Sequence, residues 1–582
     1  MTNPTTSTLA GPAHQPARPR PGSRADRLSH PTITAGVRQI AIEHGVCVRP
    51  VLLSKTNEAT GQTEVIERPC GSTREKQCPP CAKRAKRLRE AQCREGWHRT
   101  DEPNFAEAVV DEDERGLLIV RAHLEEARSL ARNVDELAKV DEAIVEVEQL
   151  IRAAGLRGGI GKRKKGEEPR RKRSTRRRQD APDLPSKAMS DRTIGRTFTA
   201  PNGQVYAPST FLTATLGSYG RVREDGSPVD PATYDYRRAA WDAVHFPALL
   251  DRFFQNLRRA EGWNVQYFGT IEPQRRLAPH AHFAIRGTIP HTVMRQVVAG
   301  TYHQVWWPST NTVVYDDDQP QPVWDAKTNH YVDPTTRKPL PTWLDAMAQL
   351  DDQLDADPDR QPEHVIRFGA QVKPEGVLGG GPEADRLIGY LSKYLTKSVA
   401  DVHACDTMTA RAHQRRLWEE LRVTPCSPKC ASWLRYGIQP KNARAKMRAG
   451  HCKGKVHQYD TLAIGGRRVL VSRDWSGKTL ADHRYDQLAW VRRLLKLDSD
   501  EDQAATDDAV QAARDGQAPD PIRWSRVKPG DPGVPDLTRR LLRAISVRLQ
   551  QRAAIQAAQA AAGAEGPPEN RSATAPPEGR AA

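Results

Sequence analysis

The sequence predicts a mixed fold, with helices and strands sharing one central domain. Two stretches predict it. Residues 265–285 read as a β-hairpin: V-Q-Y-F-G-T-I is rich in β-branched and aromatic residues, and H-A-H-F-A-I alternates polar with apolar positions. Pro273 and Pro279 bracket the polar connection between them. Residues 234–260 read as a long helix, because Trp241, Val244, Leu249, Leu250, Phe253, Phe254 and Leu257 recur at helical spacing and mark a core-facing stripe.

The whole chain sets the frame. Its 582 residues predict several domains. A hydrophobic content of 37% and a mean hydropathy of −0.70 are low for one globule, so sizeable disordered parts are expected. Lys+Arg of 89 against Asp+Glu of 72 leaves a net charge of +17, which favours a polyanionic partner. No run of about 18 apolar residues exists to span a membrane. No apolar signal core opens the chain, so a cytoplasmic location is expected. In a reducing compartment, clustered cysteines point to metal before disulfides.

In chain order, residues 1–33 predict a disordered arm rich in Pro, Thr, Ser and Arg. Residues 34–103 form a first cysteine module, with Cys47, Cys70, Cys78, Cys81 and Cys93; the C-x2-C at 78–81 suits tetrahedral Zn²⁺. The spacing leaves the ligand set open, and sets that use Cys93 or His98 are available. A helix follows at 82–94, with Lys83, Arg84, Lys86, Arg87 and Arg89 offering charge to DNA phosphates or to water. Residues 104–156 predict a helical hairpin or coiled coil, with apolar positions at Leu124, Leu130, Leu137, Val140, Ile144, Val147 and Ile151. The linker 157–190 carries a polycation: Lys162, Arg163, Lys164, Lys165, Arg170, Arg171, Lys172, Arg173, Arg176, Arg177 and Arg178. Such a run binds phosphates without reading sequence.

The central domain, 191–400, holds strand 211–216 (F-L-T-A-T-L), the long helix, the hairpin, a helix predicted at 293–307, a polar loop at 308–363, a strand at 364–372, a flexible turn at 376–381 and a helix at 388–399. Trp306 and Trp307 can stack on bases, but core packing is the expected role. Residues 401–495 carry a second cysteine group, C-x3-C at Cys426 and Cys430 followed by Cys452 and His457, which is zinc-ligand spacing with His451 as an alternative fourth ligand. Ser476-Gly477-Lys478-Thr479 lacks the first glycine of a phosphate loop, so no nucleotide site is expected there. Residues 496–582 predict a largely disordered tail with one helix near 535–562.

Two patterns carry chemistry. On a strand, side chains two apart share a face, so His280 and His282 point the same way and Glu272 ends the neighbouring strand. Two imidazoles and a carboxylate with open positions suit Mg²⁺ or Mn²⁺ meeting a phosphate oxygen. Alone, paired strand histidines are more often polar surface. The second pattern is I-G-Y-L-S-K-Y-L-T-K-S-V, where Y-L-x-K recurs after four residues. On a helix this stacks Tyr390 over Tyr394 and Lys393 over Lys397, about 6 Å apart along the axis. The bland reading is an amphipathic helix with packed tyrosines and solvated lysines.

Taken together, the stretches I-E-P-Q-R-R-L-A-P-H-A-H, I-G-Y-L-S-K-Y-L-T-K-S, W-L-R-Y-G-I-Q-P-K and F-L-T-A-T-L resemble the HUH endonuclease superfamily. More narrowly, they resemble the rolling-circle replication initiators of actinobacterial plasmids and integrative conjugative elements. The likeness covers roughly residues 36–97 and 195–490. It implies an α+β fold, a central antiparallel sheet flanked by helices, with the hairpin on the sheet and the tyrosine helix above it. It favours Cys47, Cys70, Cys78 and Cys81 as the first zinc set, and so two structural Zn²⁺ in all.

The resemblance also implies a reaction. Tyr390 or Tyr394 attacks a phosphodiester, the chain becomes linked to the 5′ phosphate, and a 3′ hydroxyl is freed and later religated. Glu272, His280 and His282 hold the Mg²⁺ or Mn²⁺. Lys393 or Lys397 offsets the cost of the phenolate, about 4 kcal/mol at pH 7 for an unperturbed tyrosine. The implied partners are single-stranded and duplex origin DNA, with a host helicase and polymerase. Rival expectations are a conjugative relaxase or single-strand transposase, and a non-enzymatic zinc-bearing DNA-binding regulator. Relaxases usually carry the tyrosine before the histidines, and here it follows them.

Overall fold

The computed structural model describes residues 22–23, 27, 30–58, 60–99, 102, 112–130, 134–153, 178, 180–199, 201, 203, 205–379, 381–393, 395, 407–495, 522–528, 531 and 534–562. In chain order its main elements are α1 (Pro31–Glu43), β1 (Val51–Asn57), β2 (Thr63–Arg68), α2 (Pro79–Trp97), α3 (Glu112–Leu130), α4 (Val134–Ala153), β3 (Phe198–Thr199), β4 (Val205–Leu216), α5 (Tyr236–Glu261), β5 (Tyr267–Pro273) and β6 (Pro279–Ile285). There follow α6 (His291–Gly300), β7 (Tyr302–Val305), β8 (Val323–Asp325), β9 (His330–Val332), α7 (Trp343–Ala356), β10 (His364–Gly379), α8 (Pro382–Ser392), α9 (Met408–Val423), β11 (Val469–Val471), α10 (Leu480–Leu494), β12 (Ile522–Arg526) and α11 (Leu537–Ala562).

The organising sheet runs β11-β5-β6-β4-β10-β7, with β3 paired to β4 off that path. Every pairing in it is antiparallel, so the chain is α+β. The two faces follow from the strand period of two. On β4, Leu212, Ala214 and Leu216 join the main core with Phe246, Phe253 and Phe254 of α5. Phe211, on the opposite face of β4, joins Leu387, Ile388 and Leu391 of α8 and Trp97 of α2. The long helix α5 is fixed at both ends: the Asp235 side chain accepts from the Arg238 amide, and Gly262 closes it at φ 74°. Gly269 of β5 is required by packing, because a Cβ there would lie 2.2 Å from Cδ1 of Phe283.

Residues 102–182 are a separate compact unit. Its helices α3 and α4 are antiparallel: Arg121 bridges Glu125 at 3.0 Å and Glu148 at 3.3 Å, while Arg128 bridges Asp141 at 2.6 Å. Ile144 and Ile151 are buried, but Leu130 is 69% exposed and lies off the predicted stripe.

Several expectations are corrected. The helix predicted at 293–307 stops at Gly300, and Tyr302–Val305 instead pairs with His364–Arg367 of β10, whose open edge it satisfies. The predicted loop 308–363 contains the β8–β9 hairpin and α7. Thr342 and Asp345 form a reciprocal capping box at the start of α7, and Trp343, Ala346, Met347, Leu350 and Leu354 bury its inner face. Residues 376–379 belong to β10 rather than to a turn, and the tyrosine-bearing helix starts at Pro382, six residues before the expected 388. Within the tail, β12 pairs antiparallel with β1, and Leu541 and Ile545 of α11 pack on Val37 and Ala41 of α1, so these elements complete the N-terminal module. Trp307 packs against Trp241, Trp343 and Trp433, the core role expected of it.

Of the predicted arm 1–33, residues 1–21, 24–26, 28 and 29 lie outside the described residues, and Pro31 already opens α1; the basic positions 162–165, 170–173, 176 and 177 also lie outside them, as do Tyr394, Lys397 and Cys405. Arg178 is described and pairs with Asp180 at 2.6 Å. Among the described residues no helix is long and apolar enough to cross a membrane.

Candidate active site

The hairpin sets the site. Antiparallel register places Glu272 of β5 opposite His280 of β6, and Thr270 opposite His282. Glu272, His280 and His282 therefore share the face that α8 covers, and one ligand atom from each lies within 4.8 Å of the others. Glu272 and His282 are buried, at 4% and 5% exposure. Among the described residues Glu272 Oε1 is buried without a hydrogen-bond partner. A buried carboxylate oxygen left unsatisfied costs stability unless a cation or donor meets it. Two imidazole nitrogens and a carboxylate could together hold a divalent cation.

Helix α8 carries Tyr390 over this cluster. Ala384, Leu387, Ile388 and Leu391 bury its inner face. Its outer flank is held by α2: Arg94 Nε donates to Asp385 at 3.0 Å, and Ser392 Oγ donates to Glu90 at 2.6 Å. Tyr390, 39% exposed, places its hydroxyl 3.2 Å from Nε2 of His282, with the rings edge-on at 5.0 Å. The 108-residue separation in sequence closes to one hydrogen bond. Lys393 follows on the last turn, its amide bonded to the Tyr390 carbonyl.

Two residues that sequence reading missed complete the surroundings. Thr213 on β4 sits opposite His282 and meets its Nδ1 at 2.9 Å. Burial, with the neighbouring His280, holds the His282 imidazole down at about 3, so it is neutral at physiological pH. A neutral imidazole has one donor and one acceptor nitrogen; donation from Nδ1 to Thr213 leaves the Nε2 lone pair facing the site. Arg468 is the second. Its carbonyl accepts from the Ile271 amide, next to Glu272, and its charge opposes the burial effect on that carboxyl. No local motif marks Arg468, whereas Thr213 lies inside the F-L-T-A-T-L strand.

Burial raises the Glu272 carboxyl to about 7, with Arg468 and Lys393 opposing the rise. A raised value means that the metal-free fold holds this proton more tightly than the unfolded chain does. The associated stability is present in acid and is lost as pH rises through about 7. A divalent cation must displace the same proton. Mn²⁺ affinity, read by titration calorimetry, is expected to fall about tenfold per pH unit below neutrality and to level off above it. A flat affinity profile across neutral pH would remove Glu272 from the ligand set.

Both cysteine groups converge. Cys47, Cys70, Cys78 and Cys81 form one cluster, and Cys426, Cys430, Cys452 and His457 form the other; each can hold zinc. Cys93 is buried in the hydrophobic cluster under α8, and His98 faces Asp385, so neither joins the first set. His451 stands outside the second. Nδ1 of His457 meets the Leu421 carbonyl at 2.7 Å, which leaves Nε2 towards Cys430 at 3.5 Å.

One chain thus carries a hairpin cluster of possible metal ligands, a tyrosine-bearing helix above it and two cysteine clusters. The family model described as "RepSA: Replication initiator protein, pSAM2" matches residues 34–546. The chain belongs to this family: it is a replication initiator, and its partner is origin DNA. Comparison with curated proteins and with solved structures finds no match.

Proposed function

We propose that this initiator starts rolling-circle replication by nicking one strand of its origin through Tyr390, in the manner of the HUH endonucleases. The observation that carries the reading is the Tyr390 hydroxyl lying 3.2 Å from His282 inside the Glu272, His280 and His282 cluster. Those three side chains would hold Mg²⁺ or Mn²⁺, which when bound withdraws charge from a phosphate oxygen and orients it.

The remaining steps belong to the chain's own residues. Tyr390 Oη attacks phosphorus, the bond from phosphorus to the 3′ oxygen breaks, and the phenol proton leaves to solvent at this partly exposed position. The 3′ oxygen takes up a proton. Lys393 stands one turn on and favours the phenolate. The phosphotyrosyl ester keeps the energy of the broken bond, so attack by the 3′ hydroxyl religates without a nucleotide. Tyr394, with Lys397, would supply a second nucleophile for the cut that ends one round. The two cysteine clusters serve as structural zinc sites, and the basic run 162–178 as a tether to phosphates. Strand separation and synthesis fall to a host helicase and polymerase.

Denaturing electrophoresis of the full chain with a labelled origin single strand and Mn²⁺ tests this. A covalent protein–DNA adduct is expected, lost on chelation and lost in the double variant Tyr390→Phe/Tyr394→Phe. Adduct at full yield in that double variant would sink the tyrosine assignment. No adduct under any metal condition would favour a non-enzymatic origin-binding protein.

A further inference from the structure

Helix α11 is the last described element of the chain, and it returns to the first cysteine module. Its Leu541 and Ile545 pack with Cys78 and Cys81 at the start of α2. Positions 541, 545, 548 and 552 fall on one helical stripe, so Arg548 and Arg552 continue that stripe beyond the apolar contact, alongside α2. From α2 this edge receives Arg84 and Arg87, both exposed. Arg548 feels the charges of Arg552, Arg84 and Arg87, so four guanidinium groups from two helices remote in sequence are close neighbours beside the shared apolar cluster.

Among the described residues none of the four has a carboxylate within ion-pair distance. The contrast with their neighbours is informative: Lys86 is matched by Glu90 at 3.7 Å and Arg94 by Asp385 at 3.0 Å. Nε of Arg548 is buried and has no hydrogen-bond partner. Burial, and then the charges of Arg552, Arg84 and Arg87, lower the affinity of Arg548 for its proton. Gathering like charges costs stability, and a chain that needed only solubility would separate them or interleave acids. The cationic edge also continues inward: Arg89 of α2 feels Arg484 and Arg467, and Arg467 adjoins Arg468 beside Glu272.

We propose that Arg84, Arg87, Arg548 and Arg552 form a seat for the phosphate backbone of duplex DNA, built jointly by α2 and α11. Charge complementarity selects a polyanion, since four uncompensated cations in one patch offer phosphate oxygens charge-assisted bonds. The choice of duplex over single strand rests on what is missing. Surfaces for single strands interleave cations with stacking rings. The one aromatic residue in α2 and α11 is Trp97, which is fully buried; the exposed Tyr485 belongs to α10, outside the four-arginine group. The inference takes the presence of DNA from the initiator reading and takes nothing from the nicking chemistry, so a failed adduct assay leaves it standing.

The test is fluorescence anisotropy of the full zinc-loaded chain with a labelled duplex and with a single strand of the same sequence, over a range of salt. Arg548→Ala/Arg552→Ala and Arg84→Ala/Arg87→Ala are each expected to lower the salt slope of duplex binding by about 2. Single-strand binding is expected to change less. Duplex affinity and slope unchanged in both variants would overturn the proposal, and so would equal losses on duplex and single strand. Zinc content and melting temperature report folding. If the α2 pair loses zinc, the α11 pair decides, because it lies on a helix without candidate ligands.

Discussion

Replacing His282 by alanine is expected to lower Mn²⁺-supported strand cleavage by about 10²–10³-fold, a loss of the size seen when one preorganised polar group is removed from an active site. His282 is the junction of the site. It is the more buried of the two histidines, it meets Thr213 through Nδ1 at 2.9 Å, and it meets the Tyr390 hydroxyl through Nε2 at 3.2 Å. One nitrogen cannot serve a cation and the phenol at once. Ligation at Nε2 would therefore release the Tyr390 hydroxyl from its resting bond, which links cation entry to nucleophile release. Thr213→Val keeps the shape of the strand and removes the hydroxyl that sets the ring, so it should weaken Mn²⁺ binding by about 10–100-fold. Thr213→Ser should restore it. Calorimetric titration of the metal, run without DNA, separates these effects from turnover. If His282→Ala binds Mn²⁺ as the parent chain does, the hairpin is not the cation site.

The hairpin was legible because its information is local. Strand period and two bracketing prolines are enough to place Glu272 beside His280. The long helix 236–261 was legible for the same reason, since a 26-residue apolar stripe has one reading. The second cysteine cluster followed from ligand type and spacing, whereas for the first the spacing left the set open and the resemblance chose Cys47, Cys70, Cys78 and Cys81. Helix α7 carried a readable signal in Thr342, Asp345 and its apolar stripe, but an acidic, proline-containing neighbourhood hid it. Other features could not be read locally. Strand β12 finds its partner β1 across more than four hundred residues, and a short run such as I-R-W-S-R shows a pattern without showing what pairs with it. Tyr302–Val305 became a strand because β10 offered an edge, a tertiary override of local preference. Arg468 stands beside Glu272 only because β11 pairs with β5.

Removing the second zinc cluster is expected to unfold the segment that it closes. Between Ile438 and Val456 the chain reads Q-P-K-N-A-R-A-K-M-R-A-G-H-C-K-G-K, with Met447 its one large apolar side chain apart from Cys452 of the cluster. Such a segment cannot offset its ordering entropy by burial. Tyr331 holds its middle, its hydroxyl meeting the carbonyls of Arg444 and Met447 at 2.8 and 3.0 Å, and the second cysteine cluster closes its end: Cys426 Sγ lies 3.9 Å from Cys452 Sγ, and Cys430 Sγ lies 3.5 Å from His457 Nε2. Zinc binding in small modules is worth about 10–16 kcal/mol, on the order of the net stability of a whole domain. The loss should also spread, because Cys430 packs with Trp433, which is fully buried against Trp307 and Trp343. Cys430→Ser is therefore expected to drop bound zinc from two ions per chain to one and to abolish the cooperative melt of this region. Proteolysis within 440–455 should become fast. Ser is nearly isosteric with Cys, so packing alone cannot account for a loss of that size. Two zinc ions retained, or an unchanged melting temperature after Cys430→Ser, would show that the cluster is a group of buried thiols and that packing holds the segment.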